Sequence, residues 1–239
     1  MNDRKVGPVV LTIEAGGSST QASRFEGFDP GQIVPLAQHR ADQWLLAAPG
    51  LVEGDRVRGA HHLGWMDVIA SSELGMVSPP ALSMNDAEAA ALGEWHLHGN
   101  PDGTLLYIGL GTGVGAVAIN QGVVIPIEFS HITSFGPNVC GGCGRRGCLD
   151  ALIGGHALPT PLGEKDVDTS IDVLSAAIEQ KTLSIARIVV GGGIARSYPA
   201  ILPGLAERVT PTVYPSASLS VYKSAAPYGL LHTWHQLPT

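Results

Sequence analysis

Cysteine is nearly absent from this chain, 3 in 239 residues, which excludes a scaffold stapled by disulfides. Charge is scarce at 15% and leans acidic, with 14 Lys and Arg against 21 Asp and Glu and a formal net charge of −7. That balance argues against nucleic acid as the main partner, and no basic run or recognition-helix pattern overturns it. There is no apolar run long enough to cross a membrane, and the opening MNDRKVGPVV lacks the apolar stretch of a signal peptide. A cytoplasmic location without membrane contact is therefore expected. Thiols stay reduced there, and clustered cysteines more often bind metal than pair. No repeat of fixed period and no low-complexity tract are visible. What is plentiful is apolar surface, at 44%, punctuated by 31 glycines and 17 prolines. A chain of this length and composition can bury a substantial core in one or two domains.

Between the punctuation points lie short apolar runs of β type. Val9-Val10-Leu11-Thr12-Ile13 reads as a buried strand entering the turn Glu14-Ala15-Gly16-Gly17-Ser18. Gln21 to Phe25 and Ile33 to Gln38 read as the next two strands of an antiparallel meander. The Ala/Glu/Leu-rich stretch 83–97 predicts a helix, with Asn85 or Asp86 placed to cap it. Leu105 to Leu110 and Ala116 to Asn120 predict strands on either side of Gly111-Thr112-Gly113-Val114-Gly115. Ser170 to Gln180 has helical spacing, and Ile185 to Val190 is a strand that stops at Gly191-Gly192-Gly193. Alternating strands and helices with glycines at strand ends point to an α/β architecture. A boundary between two lobes falls near 78–86 or near 180.

Glycine turns directly after strands let backbone N–H groups approach an anion, because no Cβ stands in the way. Any one of them is more often a plain tight turn. Three occur here, EAGGS at 14–18, GLGTGVG at 109–115 and GGG at 191–193. They fit neither the P-loop pattern nor a dinucleotide fingerprint, since no acidic residue follows at the required spacing in a βαβ unit.

Taken in order, these segments resemble the ROK family (repressors, open reading frames and sugar kinases) of the actin/hexokinase-like superfamily. Residues 14–18 resemble its first phosphate motif, D-x-G-G-T, and 109–115 its second. Residues 83–94 resemble its E-N-D-A-N-A-A-A-L-G-E helix start, and Ile188 to Ile194 its strand and glycines near the adenosine. Pro49-Gly50-Leu51-Val52 and Leu63-Gly64-Trp65 also match family segments. The resemblance implies a two-lobed actin-like (ribonuclease H-like) α/β fold with a cleft between lobes, the N-terminal lobe over about 1–82 and the C-terminal lobe over about 83–239, with a return of the last helix to the N-terminal lobe left open. It implies an ATP- and Mg²⁺-dependent kinase acting on a hydroxyl, most often the 6-OH of glucose or a related hexose. Asp86 would be the general base. Glu14, Gly16, Gly17, Ser18, Gly111, Thr112 and Gly113 would cradle phosphates and metal, with Gly192 and Gly193 beside the nucleotide.

The three cysteines stand within nine positions, Cys140-x2-Cys143-x4-Cys148, and His131 lies just upstream. Three thiolates and an imidazole are a tetrahedral zinc set, and zinc with no open position is structural. The family writes this segment as a histidine followed by C-x-C-G-x-x-G-C-L-E. The first cysteine is displaced by one residue here, with Gly141 at the family position, and the adjoining glycines absorb the shift. Such a zinc would hold the substrate-side loop in place without touching phosphate. Glu128 and His131 form E-x-x-H, which resembles the family's sugar-binding E-x-G-H. The histidine gives one ring nitrogen to zinc and the other to a sugar hydroxyl. Asn85, Asp150 and His61 complete the set of sugar contacts that the resemblance implies.

Departures are specific. Glu14 replaces aspartate, Ser18 threonine, Ser19 lysine and Asp150 glutamate, and His61-His62-Leu63-Gly64-Trp65 stands where N-L-x-x-W is common. These changes leave room for an amino sugar or a cyclitol as substrate. They also leave open a sugar-binding sensor without efficient transfer, and a polyphosphate donor in place of ATP. Segments that are helical in the family are compressed between Arg40 and Pro49 and between Leu158 and Ser170. Apolar sheet surface left bare in this way predicts a homodimer. The repressor branch is disfavoured, because no helix-turn-helix precedes residue 9.

Overall fold

β-branched and apolar residues dominate the runs that become strands, and glycines or Asn/Asp close them. The computed structural model describes residues 9–17, 19–26, 32–36, 41–125, 127–181, 183–217 and 224–237. The chain divides into two compact units. One holds the residues up to Ala89 together with those from Ala226 on, and the other runs from Ala90 to Ala225.

The first unit is built on a five-stranded sheet ordered β3-β2-β1-β4-β8. Its strands are β1 (Val9–Gly16), β2 (Ser19–Glu26), β3 (Gln32–Val34), β4 (Gln43–Ala48) and β8 (Leu82–Asn85). The first three form the expected antiparallel meander, while β4 and β8 continue parallel to β1. The third strand is shorter than Ile33 to Gln38, and residues 37–40 lie outside the described residues. A small antiparallel sheet of β5 (Leu51–Glu53), β6 (Arg56–Ala60) and β7 (Trp65–Ile69) precedes the short helix α1 (Ala70–Glu73). Leu11, Ile13 and Ala15 of β1 pack with Trp44, Leu46, Val57, Ala60 and Ala70 on one face. The last helix, α7 (Ala226–Gln236), packs on β1 and β4, and Tyr228 meets Phe25 edge-on at 6.1 Å. Each fully buried aliphatic side chain in such a core stabilises by about 1.5–3 kcal/mol.

The second unit repeats that topology. Its sheet is ordered β11-β10-β9-β12-β13, from β9 (Thr104–Leu110), β10 (Val114–Asn120), β11 (Val123–Ile125), β12 (Ile185–Gly191) and β13 (Thr212–Pro215). Again three antiparallel strands come first and two parallel strands follow. Leu106, Ile108 and Leu110 face Ile171, Leu174 and Ile178 of α4 (Glu164–Glu179), with Leu205 of α6 (Ile201–Ala206) in the same core. α3 (Asp150–Ile153) follows the cysteine segment, and α5 (Gly192–Ser197) follows β12 directly. The unit boundary falls inside α2 (Asp86–Leu97).

One element is new relative to the sequence reading and one is longer. Residues 43–48, QWLLAA, form a strand although Leu and Ala favour helices. Five of its six residues are buried, and a central strand buried on both faces is a continuous apolar run without alternation. Helix α4 begins at Glu164, six residues before Ser170, because the Asp166 carboxylate accepts from the Gly163 N–H at 2.9 Å and closes the first turn.

Candidate functional site

In the first unit β8 runs directly into α2 at Asn85-Asp86. Asn85 is the cap: its Oδ1 accepts from the N–H of Ala87 at 2.9 Å and of Glu88 at 3.3 Å. Its Nδ2 donates to the Gly50 carbonyl at 3.0 Å. Gly50 has φ +85°, and a Cβ there would collide with the Arg58 carbonyl, so glycine is required. With Asn85 serving as cap, Asp86 becomes the first helical residue. Burial pushes its carboxyl up to about 6 against the opposing pull of the Ala87 N–H, with Glu88 adding to the rise. Burial raises Glu88 as well.

The first glycine turn lies in the same unit. Glu14 is half-buried on β1, paired with Gln21 of β2 and Ala47 of β4. Gly16 pairs with Ser19 to close the hairpin, Gly17 is in the turn, and Ser18 lies outside the described residues. His61 is exposed in a single 3₁₀ turn, His61–Leu63, which ends at Gly64 in the left-handed region.

In the second unit, the Gly111 N–H donates to the Gly113 carbonyl at 2.9 Å and makes the turn between β9 and β10 tight. The chain after α3 clasps this turn. The Gly155 N–H donates to the Gly111 carbonyl at 2.9 Å, and the His156 N–H and Nδ1 both reach the Thr112 carbonyl at 2.9 Å. Val114, just beyond the turn, donates its N–H to Asp150 Oδ1 at 2.8 Å. Asp150 is only 6% exposed. The other glycine run starts α5: Gly192 has φ +93°, and a Cβ there would collide with the Leu110 carbonyl. Gly193 has open space, with the Arg196 guanidinium the nearest group at 3.8 Å.

The cysteine segment folds as a hairpin-like knuckle. The Cys140 N–H donates to the Arg145 carbonyl and the Gly144 N–H to the Cys140 carbonyl, each at 2.8 Å. One ligand atom from each of His131, Cys140, Cys143 and Cys148 lies within 4.8 Å of the others. Cys143 Sγ and Cys148 Sγ are 3.3 Å apart, and Cys140 Sγ is 3.6 Å from His131 Nδ1. A zinc tetrahedron with sulfur ligands at about 2.3 Å has S–S edges of roughly 3.8 Å, so the donor set and its spacing fit the metal. Burial opposes ionisation of Cys143, but hydrogen bonds from the Arg145 backbone and side chain outweigh it and bring the thiol to about 7. Burial drives Cys148 up to about 12.

Glu128, exposed beside this knuckle, is ion-paired with Arg145, which holds its carboxyl below the usual range. Lys181 donates to the Glu128 carbonyl. The sequence reading passed over Arg145 and Lys181; a basic residue between two zinc ligands was the available signal for the first. It also passed over Glu94, fully buried on α2, which accepts from the Ser216 hydroxyl and from the Ala217 N–H at 2.9 Å. Those two partners lie 122 and 123 residues away, and His98, with Nε2 at 3.5 Å, lies within local reach of the same carboxylate.

Two sheets with one strand order, each a meander followed by parallel strands with glycine turns at their ends, define an actin-like α/β fold. The chain belongs to the ROK family, which matches residues 38–186. It is similar to an N-acetylmannosamine kinase of Yersinia pestis (strain Pestoides F), 26% identical over 168 residues that cover 64% of this chain and 54% of the relative. The chain thus spans about half the length of the curated relatives it matches. Among solved structures it is similar to a ROK family glucokinase from Streptomyces griseus in complex with glucose and AMPPNP. The TM-score is 0.69 at 18% identity, over 96% of this chain and 100% of that one. It is also similar to the ROK hexokinase from Thermus thermophilus, with TM-score 0.67 and 22% identity over 94% and 97% of the two chains.

Proposed function

We propose that this chain is a sugar kinase that transfers a phosphoryl group from ATP to a hydroxyl, the 6-OH of glucose or of a related hexose, amino sugar or cyclitol. The observation that carries this reading is Asp86. The neighbouring Asp86 carboxylate accepts from the same Ala87 N–H at 2.9 Å and has an affinity for protons near the working range of a general base. In this reading Asp86 takes the proton of the attacking hydroxyl. Asn85 offers the sugar its remaining amide N–H, and Glu128 and His131 offer a carboxylate and an imidazole, groups matched to hydroxyls that both donate and accept. His131 presents Nδ1 to the thiols, which leaves Nε2 for the sugar.

The glycine turns at 16–17 and 111–113 supply backbone N–H groups to phosphate oxygens, and Gly192 and Gly193 lie beside the nucleotide. Glu14 is the carboxylate for Mg²⁺, which takes one or two protein oxygens and fills the rest of its shell with phosphate and water. When bound, that ion would neutralise phosphate charge. Zinc would be held by His131, Cys140, Cys143 and Cys148 in a closed, structural site.

A second reading rests on the changed first phosphate turn, with Glu14 and Ser19 in place of aspartate and lysine: a sugar-binding sensor with little transfer. A coupled ADP-release assay over glucose, mannose, N-acetylmannosamine, N-acetylglucosamine and inositol separates the two. The kinase reading expects turnover with at least one of these acceptors. Sugar-dependent thermal stabilisation with no turnover from ATP or polyphosphate selects the sensor instead.

A further inference from the structure

Two carboxylates are buried among the described residues, Glu94 and Asp150, and both accept from backbone N–H groups at strand ends of the second unit. Asp150 has the richer setting. Its backbone N–H donates to the Ser130 carbonyl at 2.9 Å, next to His131. Its Oδ1 accepts from Val114 at 2.8 Å, while Oδ2 lies 3.7 Å from Cys140 Sγ and 3.9 Å from His156 Nε2. The helix it opens returns the chain through Gly155 and His156 onto the carbonyls of Gly111 and Thr112. Oδ1 is thus committed to the Val114 N–H, Oδ2 lies on the side of the cysteine cluster, and the backbone N–H is anchored beside His131. One faces the turn assigned above to phosphate, and the other faces the thiol cluster.

We propose that Asp150 is a positioning residue that ties the cysteine knuckle to the Gly111–Gly113 turn, so that the order of the metal loop sets affinity for the nucleotide. This replaces the sugar contact that the resemblance implied for the position, and it links a loop expected to serve only the sugar side to the phosphate side. The identity of the ligand at the turn rests on the kinase reading; the tie itself does not. A buried backbone donor that loses a charged acceptor is costly, because nothing replaces the bond in a dry site. Asparagine would keep an oxygen for Val114 and turn an N–H₂ toward the sulfur, whereas alanine keeps neither.

Four quantities test the proposal in the full chain: AMPPNP affinity and glucose affinity by calorimetry, zinc per chain by elemental analysis, and the amide exchange rate of Val114. For Asp150→Ala the expected result is AMPPNP binding about tenfold weaker and Val114 exchange at least about tenfold faster, with zinc retained and sugar affinity within about twofold. Asp150→Asn is expected to stay near the wild type in all of them. Weaker sugar binding with AMPPNP affinity and Val114 exchange unchanged overturns the proposal. So does rapid Val114 exchange in the wild type, a reading that needs no variant and stands even if alanine prevents folding. If the wild type binds no AMPPNP, the kinase reading fails while Val114 exchange still decides whether the tie exists.

Discussion

At position 86 a carboxylate begins a helix and yet holds its proton more tightly than a surface aspartate does, because desolvation outweighs the Ala87 N–H that favours the charge. The sign of the linkage follows. An acid whose folded value is raised contributes its full stability below its unfolded value near 3.8, and that stability is lost as pH rises through about 6. Asp86→Asn removes the charge and keeps the shape. Its unfolding free energy should match wild type near pH 3.5 and exceed it at pH 7.5 by about 1–2 kcal/mol after screening at a half-buried site. Denaturant titrations at the two pH values check this, and an equal gap at both would place Asp86 in water. The Asn-Asp pair was legible in the sequence because cap chemistry is local. Which of the two caps was not, since that choice depends on Asn85 also reaching Gly50, 35 residues away.

Among the elements, the cysteine knuckle was the most legible, because a tetrahedral thiolate–imidazole set constrains ligand type and spacing, and one ligand atom from each of the four expected residues converges within 4.8 Å. Cys140 stands one residue from the family position and still joins the cluster, since its N–H and carbonyl pair with Arg145 and Gly144 across the turn. Cys148→Ser is expected to drop zinc from one per chain to near zero after dialysis, and to speed exchange of the Leu149 and Asp150 amides, now bonded to Ile132 and Ser130. Zinc retained at one equivalent would contradict the assignment of that ligand. Strand β4 was illegible for a different reason. A strand buried on both faces loses the period of two that marks half-buried strands, and QWLLAA offers only length and flanks to argue from.

Across the whole molecule the two units share a strand order that no repeat in the sequence betrays. Hydrogen-bond pattern and packed volume constrain such topology, and many sequences satisfy both. The ROK assignment and the actin-like fold were readable because glycine turns and the Asn-Asp step sit where backbone geometry dictates the residue. Gly50 and Gly192, where any Cβ would strike a carbonyl, are the clearest cases. The central claim, that this chain phosphorylates a sugar hydroxyl with Asp86 as base, is tested most directly by the pH dependence of kcat/KM for the best acceptor, measured beside Asp86→Asn. The account expects the wild-type value to rise through about pH 6 and then level, as the free carboxylate becomes available. The variant should be slower by about 10²-fold or more at pH 7.5 and still bind AMPPNP. A variant that turns over at the wild-type rate with the same profile would contradict the claim.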